Sequence, residues 1–207
     1  MAAWLPNLRL RHPARAARWI ALCAALAAAL PAAATEMPPP GSRGLRAVDP
    51  LPGDDDCRCV DAWAVSTRRL PGICRLPAAA DFGVERCVDP DRHCWERSDL
   101  AALLEDPTRP LFIFIHGNRY EAGAAKSQGV LLARHCAASC PGGCRPRVVV
   151  FSWPSAQQGI LLKDGRAKYD RAHADGHYLA WLLGQVEPER PVAIVGYSFG
   201  ALITLEA

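Results

Sequence analysis

Three stretches in the second half of the chain contain four or five consecutive apolar residues, and each predicts a buried strand. Such runs cannot alternate between core and water, so they are typical of strands covered on both faces, as in parallel sheets. The predicted strands are Leu111–Ile115, Arg147–Trp153 and Val192–Val195. Helix-forming segments follow them in turn and predict helices over Glu121–Cys136, Asp170–Leu183 and Ser198–Glu206.

Weaker elements precede residue 111. Ala62–Thr67 predicts a strand, Phe82–Val88 predicts a second one, and Asp99–Glu105 predicts a short helix capped by Ser98. The alternation of strands and helices along the whole segment predicts an α/β fold, in which a mostly parallel sheet with flanking helices is joined by right-handed crossovers. We expect the strand around Trp63 to extend this same sheet.

The first 34 residues have the pattern of a signal peptide. A basic stretch ends at Arg18, an apolar run covers Trp19–Leu30, and small residues at Ala32–Ala34 match a signal peptidase site. A permanent single-span anchor is the alternative, although the apolar run is short for a bilayer core. We therefore expect a periplasmic or secreted protein with a signal peptide over residues 1–34. A Pro-rich linker is expected over residues 35–56 and one domain over residues 57–207.

Eight cysteines follow the leader, and export favours their pairing in disulfides. Five lie in one group and three in another, so complete pairing requires at least one disulfide between the groups. The eight residues are Cys57, Cys59, Cys74, Cys87, Cys94, Cys136, Cys140 and Cys144. Zinc ligation is the alternative, but the Cys57-x-Cys59 spacing is tighter than a usual zinc knuckle. We expect no metal and no cofactor.

Charge along the chain argues against a nucleic-acid partner. The leader holds four arginines and no acidic residue, which leaves 20 basic and 21 acidic residues in the remainder. A nearly neutral domain offers no basic face to phosphates.

Gly196-Tyr197-Ser198-Phe199-Gly200 is a G-x-S-x-G motif between a predicted strand and a predicted helix. This context predicts a nucleophile elbow, because glycines leave room where strand and helix backbones cross closely and Ser198 is raised above the sheet. The backbone N–H groups of Asn118 and Phe199 are the predicted oxyanion-hole donors. His116, immediately after a strand, is interpreted as a residue that organises the loop.

Two other groups of side chains have less specific patterns. Asp170, His173 and His177 can share one helix face, which is compatible with a metal site but more typical of a solvated face. Three tryptophans are interpreted as core or rim residues rather than as a ligand cage: Trp63, Trp153 and Trp181.

Four segments in order resemble a bacterial family of alpha/beta hydrolases of uncharacterised function. They are Phe114–Asn118 (FIHGN), Phe151–Ser155 (FSWPS), Tyr169-Asp170 and Gly196–Gly200 (GYSFG), and the similarity spans roughly Leu111 to Ala207. The resemblance implies an alpha/beta-hydrolase fold and a nucleophile at Ser198. This chain has Tyr197 and Phe199 where the family has His and Met.

The chain order of this fold places the acid and the histidine of the triad after the serine. Seven residues follow Gly200 and none is Asp or His, so we expect a domain truncated after the elbow with both partners missing. Four earlier histidines are the alternative bases: His116, His135, His173 and His177. The sequence thus predicts an exported, esterase-like serine hydrolase acting on a small-molecule or lipid ester, with membrane contact only through an uncleaved leader. The alternative is a non-catalytic exported binding module on the same scaffold.

Overall fold

The computed structural model describes residues 60–139, 146–156 and 161–207, with side chains from residue 164 in the last range. The predicted signal peptide and linker lie outside these residues. The strands in the described part are β1 (Ala62–Ser66), β2 (Gly83–Asp89), β3 (Cys94–Ser98), β4 (Leu111–Ile115), β5 (Arg147–Ser152) and β6 (Val192–Gly196). The helices there are α1 (Leu100–Leu104), α2 (Ala122–Ser139), α3 (Leu161–Leu183) and α4 (Phe199–Glu206).

The strands form one mixed sheet in the order β3-β2-β1-β5-β4-β6. Strands β1, β5, β4 and β6 run parallel, whereas β2 and β3 continue the sheet as an antiparallel hairpin. Phe114 of β4 lies beside Val150 of β5 and Val195 of β6. The carboxyl ends of the four parallel strands therefore meet along one side of the sheet, which we call the carboxyl edge. The opposite side is the amino edge.

Helices cover both faces of the sheet, which explains why the central strands are apolar at nearly every position. Val149 and Phe151 of β5 belong to a core cluster with Leu179 of α3 and Ile203 of α4. Val150, between them, faces α2, where Gly129 leaves the room that its side chain occupies. All positions of β4 and β5 are buried. The predicted α/β class is confirmed, and β4 and β5 are buried on both faces as predicted.

Strand β6 differs from β4 because it lies at the outer side of the sheet. Its residues are exposed or half-buried, and Val192 keeps 38% of its surface exposed. The prediction of a buried strand is therefore wrong for β6, because only β4 pairs with it in the described sheet.

Three local predictions need correction. Asp99, not Ser98, caps α1, and its carboxylate accepts a hydrogen bond of 2.8 Å from the Ala102 N–H. Helix α3 begins at Leu161, nine residues before the predicted start at Asp170, because the preceding segment, with its charged residues and Gly165, is also helical. Strand β3 was missed, because its Cys-Trp-Glu-Arg-Ser sequence lacks an apolar alternation and only pairing with β2 reveals it.

No two of the four cysteines in the described part of the chain form a disulfide with one another: Cys74, Cys87, Cys94 and Cys136. The other four lie outside the described residues, so the predicted pairing of all eight stays a prediction. Within residues 60–139, 146–156 and 161–207, no helix combines the length and apolarity needed to span a membrane.

Candidate active site

Ser198 lies at the carboxyl edge, in the turn that joins β6 to α4. Its side chain is exposed, and its backbone adopts φ 55° and ψ −119°. A non-glycine residue in this conformation costs about 1–3 kcal/mol and persists only where the surroundings enforce it. The Ser198 hydroxyl makes no capping hydrogen bond to α4, so it does not stabilise the start of the helix. The turn holds an exposed hydroxyl under backbone strain.

Two glycines allow this turn to form. A Cβ atom at Gly200 would overlap the carbonyl oxygen of Ile115 at the end of β4. A Cβ atom at Gly196 would overlap the carbonyl oxygen of Gly200. The backbones of β4, β6 and α4 therefore pass each other at a separation that only glycine permits, which is the reason for glycine on both sides of the serine.

The loop after β4 reaches the serine. An ideal Cβ on Gly117 would lie 3.2 Å from the Ser198 Cβ and 2.8 Å from the Tyr197 Cδ1. The parallel ladder continues into this region, because the Tyr197 N–H donates to the Ile115 carbonyl at 3.0 Å. The His116-Gly117-Asn118 segment and the G-x-S-x-G turn are thus in direct contact, although 81 positions separate Gly117 from Ser198.

His116 is fully buried beneath this loop. Its Nδ1 lies 2.9 Å from the carbonyl oxygen of Gly117, and its ring stacks between Tyr120 and Trp153. Burial lowers the pKa of His116 to about 4, so the ring is neutral at pH 7. Since Nδ1 then donates to the Gly117 carbonyl, Nε2 carries no proton, and it has no hydrogen-bond partner.

This hydrogen bond orients the peptide between Gly117 and Asn118. In a trans peptide the carbonyl and the following N–H point in opposite directions, and the described chain has no cis peptide. Because the Gly117 carbonyl points at the His116 ring, the Asn118 N–H points away from it. The Asn118 side chain is engaged locally, since its Oδ1 accepts from the Arg119 N–H at 2.9 Å. The Asn118 N–H is the backbone donor that this loop can offer to an oxyanion.

The first turn of α4 supplies a second N–H at the serine. The helical bonds begin with Gly200, which donates to Tyr197 at 2.8 Å, and Ala201, which donates to Ser198 at 2.9 Å. Phe199 precedes both, so its N–H belongs to the group of helix-start donors that have no intrahelical acceptor. These donors carry the positive end of the helix dipole.

Residues after β5 brace the loop after β4, a role that sequence reasoning missed. The indole Nε1 of Trp153 donates to the His116 carbonyl at 2.8 Å. Ser155 is fully buried; its hydroxyl lies 3.1 Å from both the N and the O of Tyr120, and its carbonyl accepts from the Arg119 N–H at 2.8 Å. The signal that was available is the Ser-Trp-Pro-Ser motif. Trp153 lies in the core, as its interpretation as a core or rim residue requires.

None of the histidines predicted as alternative bases is hydrogen-bonded to Ser198 in the described residues. The His173 Nδ1 lies 3.0 Å from Oε1 of Glu206, which is eight residues beyond Ser198 and so about 12 Å farther along the helix. The His135 ring bonds to the Leu131 carbonyl on its own helix. Within the described part of the chain, Asp170, His173 and His177 do not belong to any cluster able to hold a metal ion.

No protein-family model, no curated protein and no solved structure matches this chain.

Proposed function

We propose that this chain is an exported, esterase-like serine hydrolase with an alpha/beta-hydrolase fold, and that Ser198 is its nucleophile. The observation that carries the proposal is the strained, exposed Ser198 between two glycines, in contact with the loop that holds the Asn118 N–H. In a sharp strand-to-helix turn with these features, a G-x-S-x-G motif indicates a nucleophilic serine.

The proposed reaction begins with attack of the Ser198 Oγ on the carbonyl carbon of a small-molecule or lipid ester. The carbonyl electron pair moves onto its oxygen, and the N–H groups of Asn118 and Phe199 stabilise that anion. Collapse of the intermediate breaks the bond from the carbonyl carbon to the alkoxy oxygen, and the proton that Ser198 loses passes through water to this oxygen, which leaves as the alcohol. Water then cleaves the acyl-Ser198 ester to a carboxylic acid and restores the serine hydroxyl. Each oxyanion donor is expected to contribute about 3 kcal/mol to the transition state.

His116 has a positioning role in this proposal. Its hydrogen bond to the Gly117 carbonyl sets the direction of the Asn118 N–H. The Trp153 indole donates to the His116 carbonyl and so fixes the preceding peptide, between His116 and Gly117. A buried, neutral ring suits this role, whereas a general base must reach the serine hydroxyl. No histidine of the described residues is hydrogen-bonded to Ser198, so the acid and the histidine of a triad stay predictions from the sequence.

A non-catalytic binding module on the same scaffold is the second candidate. It is favoured because no histidine among the described residues is hydrogen-bonded to Ser198, and a serine without a base keeps only the acceleration from binding and the oxyanion hole. In this case the turn is a ligand-binding surface and Ser198 is not acylated.

Covalent labelling with a fluorophosphonate, read by mass spectrometry of the 207-residue chain, separates the two functions. We expect slow, stoichiometric modification of Ser198 and its loss in Ser198→Ala. The matched control is Ser127→Ala, which removes an exposed serine of α2 and should leave labelling unchanged. Equal labelling of the parent and Ser198→Ala, or no labelling of either, would reject the enzyme and favour the binding module.

A further inference from the structure

A cavity of about 640 Å³ opens at the carboxyl edge, three strands away from the serine. Ser66 at the end of β1, Ser152 at the end of β5 and Gly83 at the start of β2 line its walls. Adjacent strands are about 4.8 Å apart, so β1 and β6 are separated by about 14 Å. The cavity is thus a different place from the Ser198 turn.

Basic side chains outnumber acidic ones in the cavity. Four cations line it, Arg68, Arg69, Arg97 and Lys126, against the two carboxylates of Asp81 and Glu85. Glu85 is already neutralised by the Lys126 ammonium at 2.7 Å. Three guanidinium groups therefore face one remaining carboxylate, that of the exposed Asp81.

Arg68 is held rigidly in this wall by neutral oxygens. Its Nε donates to the Ser152 hydroxyl at 2.9 Å and its Nη2 donates to the Tyr120 carbonyl at 2.8 Å. Two of the five guanidinium N–H donors are used in this way. In the described residues no carboxylate lies within 4.0 Å of Arg68; Glu121 and Asp175 act on it only at longer range.

The backbone around Arg68 is fixed from both sides. The Thr67 N–H donates to the Ser152 carbonyl at 3.0 Å, and Arg171 binds the carbonyls of Thr67 at 2.8 Å and Leu70 at 2.7 Å. A cation that needs no rearrangement before it binds loses little conformational entropy on binding. Burial also lowers the pKa of Arg68 because it removes part of this charge from water, and the longer-range attraction of Glu121 and Asp175 offsets only a part of that shift.

Ala122, the first residue of α2, also lines the cavity. The start of this 18-residue helix therefore adds the positive end of a dipole to the same space. Together with the surplus of guanidinium groups and with Arg68, which forms no ion pair within the described part of the chain, it makes an environment suited to negative charge.

We infer that this cavity binds the oxyanion group, a carboxylate or a phosphate, of a small molecule, with Arg68 as the central contact and Arg97 as a second one. Guanidinium groups match the planar fork of either oxyanion, and the serine hydroxyls of the wall supply additional donors. The inference does not depend on the hydrolase function proposed for Ser198.

Calorimetric titration of the 207-residue chain tests this site with inorganic phosphate and, separately, with succinate. We expect saturable 1:1 binding of at least one probe, weakened by added salt, and the preferred probe distinguishes the two oxyanions. Arg68→Gln and Arg97→Gln should each weaken binding about tenfold or more, because each removes a charged hydrogen-bond donor.

The matched control is Arg92→Gln. Arg92 has the same charge and is 82% exposed, but it lies in the turn after β2, about 20 Å from Gly83 along the strand. It should bind like the parent. Since Arg68 also supports Tyr120, the exposed Arg97 provides a test that does not affect folding. Absence of saturable binding, or equal affinities in the parent and both cavity variants, would overturn the inference.

Discussion

The two edges of the parallel sheet use polar groups in opposite ways. At the amino edge, the buried carboxylate of Asp61 is surrounded by donors: Arg147 at 2.8 Å, Arg109 at 2.9 Å and the Trp63 indole at 2.7 Å. At the carboxyl edge, Ser198 is exposed and its backbone is strained, while the neighbouring His116 keeps an unpartnered Nε2.

The two edges therefore differ in role. The polar groups of the amino edge stabilise the fold, whereas those of the carboxyl edge are positioned by the fold. The Asp61 cluster pairs charge with charge, and Arg147 also donates to the carbonyls of Ala102 and Leu103, so it ties α1 to the start of β5. At the carboxyl edge, the close packing of the β4, β6 and α4 backbones keeps the Ser198 hydroxyl exposed. Departures from local preference that the remainder of the fold enforces are typical of functional sites.

Replacement of Gly200 by Ala should have the largest effect on the carboxyl edge. The new Cβ would overlap the Ile115 carbonyl oxygen, a backbone atom that cannot move without disrupting β4. We expect a loss of more than about 4 kcal/mol in the free energy of unfolding, or no folded protein. Urea denaturation followed by circular dichroism measures this.

Gly165→Ala is the control for that substitution. Gly165 lies in α3, and no atom lies within 4 Å of an added Cβ, so alanine should stabilise the protein by about 0.5–1 kcal/mol through helix propensity. Similar stability changes in the two variants would mean that the turn is not closely packed.

Sequence periodicity predicts the sheet well because β4, β5 and β6 are apolar for a local reason. Burial of β4 and β5 on two faces leaves little room for polar residues, so their pattern can be read without knowledge of the neighbours, whereas β6 is apolar although it is exposed or half-buried. The G-x-S-x-G motif is similarly local, since Gly196 and Gly200 lie within five positions. What these segments predict is the presence of the strands and of the strained turn.

Contacts between distant segments could not be predicted in the same way. Trp153 bonds to a carbonyl 37 positions away, and Arg68 to one 52 positions away, through backbone groups that carry no sequence signature. Strand β3 exists only because β2 pairs with it. The bracing of the His116 loop and the cation-rich cavity are therefore properties of the assembled sheet.

The second prediction concerns pH and the carboxyl edge. His116 has a pKa of about 4 in the folded chain against an ordinary value of 6.5, so the unfolded chain binds more protons between these values. The corresponding stability is complete above pH 6.5 and is lost as pH falls towards 4. Between pH 7.5 and pH 5 we expect a loss of about 2 kcal/mol from this group.

Parallel urea titrations of the parent and His116→Gln at several pH values isolate this contribution. The variant should be less stable at pH 7.5, because the Gly117 carbonyl loses its ring donor, but it should lose about 2 kcal/mol less than the parent on acidification. Identical pH dependence in the two proteins would show that His116 is not held neutral by the fold.

The smallest expected effect compares one chemical change at both edges. Trp153→Phe and Trp63→Phe each keep an aromatic ring but remove an indole N–H, which leaves the His116 carbonyl or the Asp61 carboxylate with one donor fewer. Each should cost about 1–2 kcal/mol of stability in urea denaturation. Only Trp153→Phe should also slow fluorophosphonate labelling of Ser198, since only that indole braces the loop carrying the Asn118 N–H. Equal labelling rates in the two variants would mean that the loop keeps its orientation without the Trp153 indole. The reactivity of Ser198 would then not depend on the residues that brace this loop.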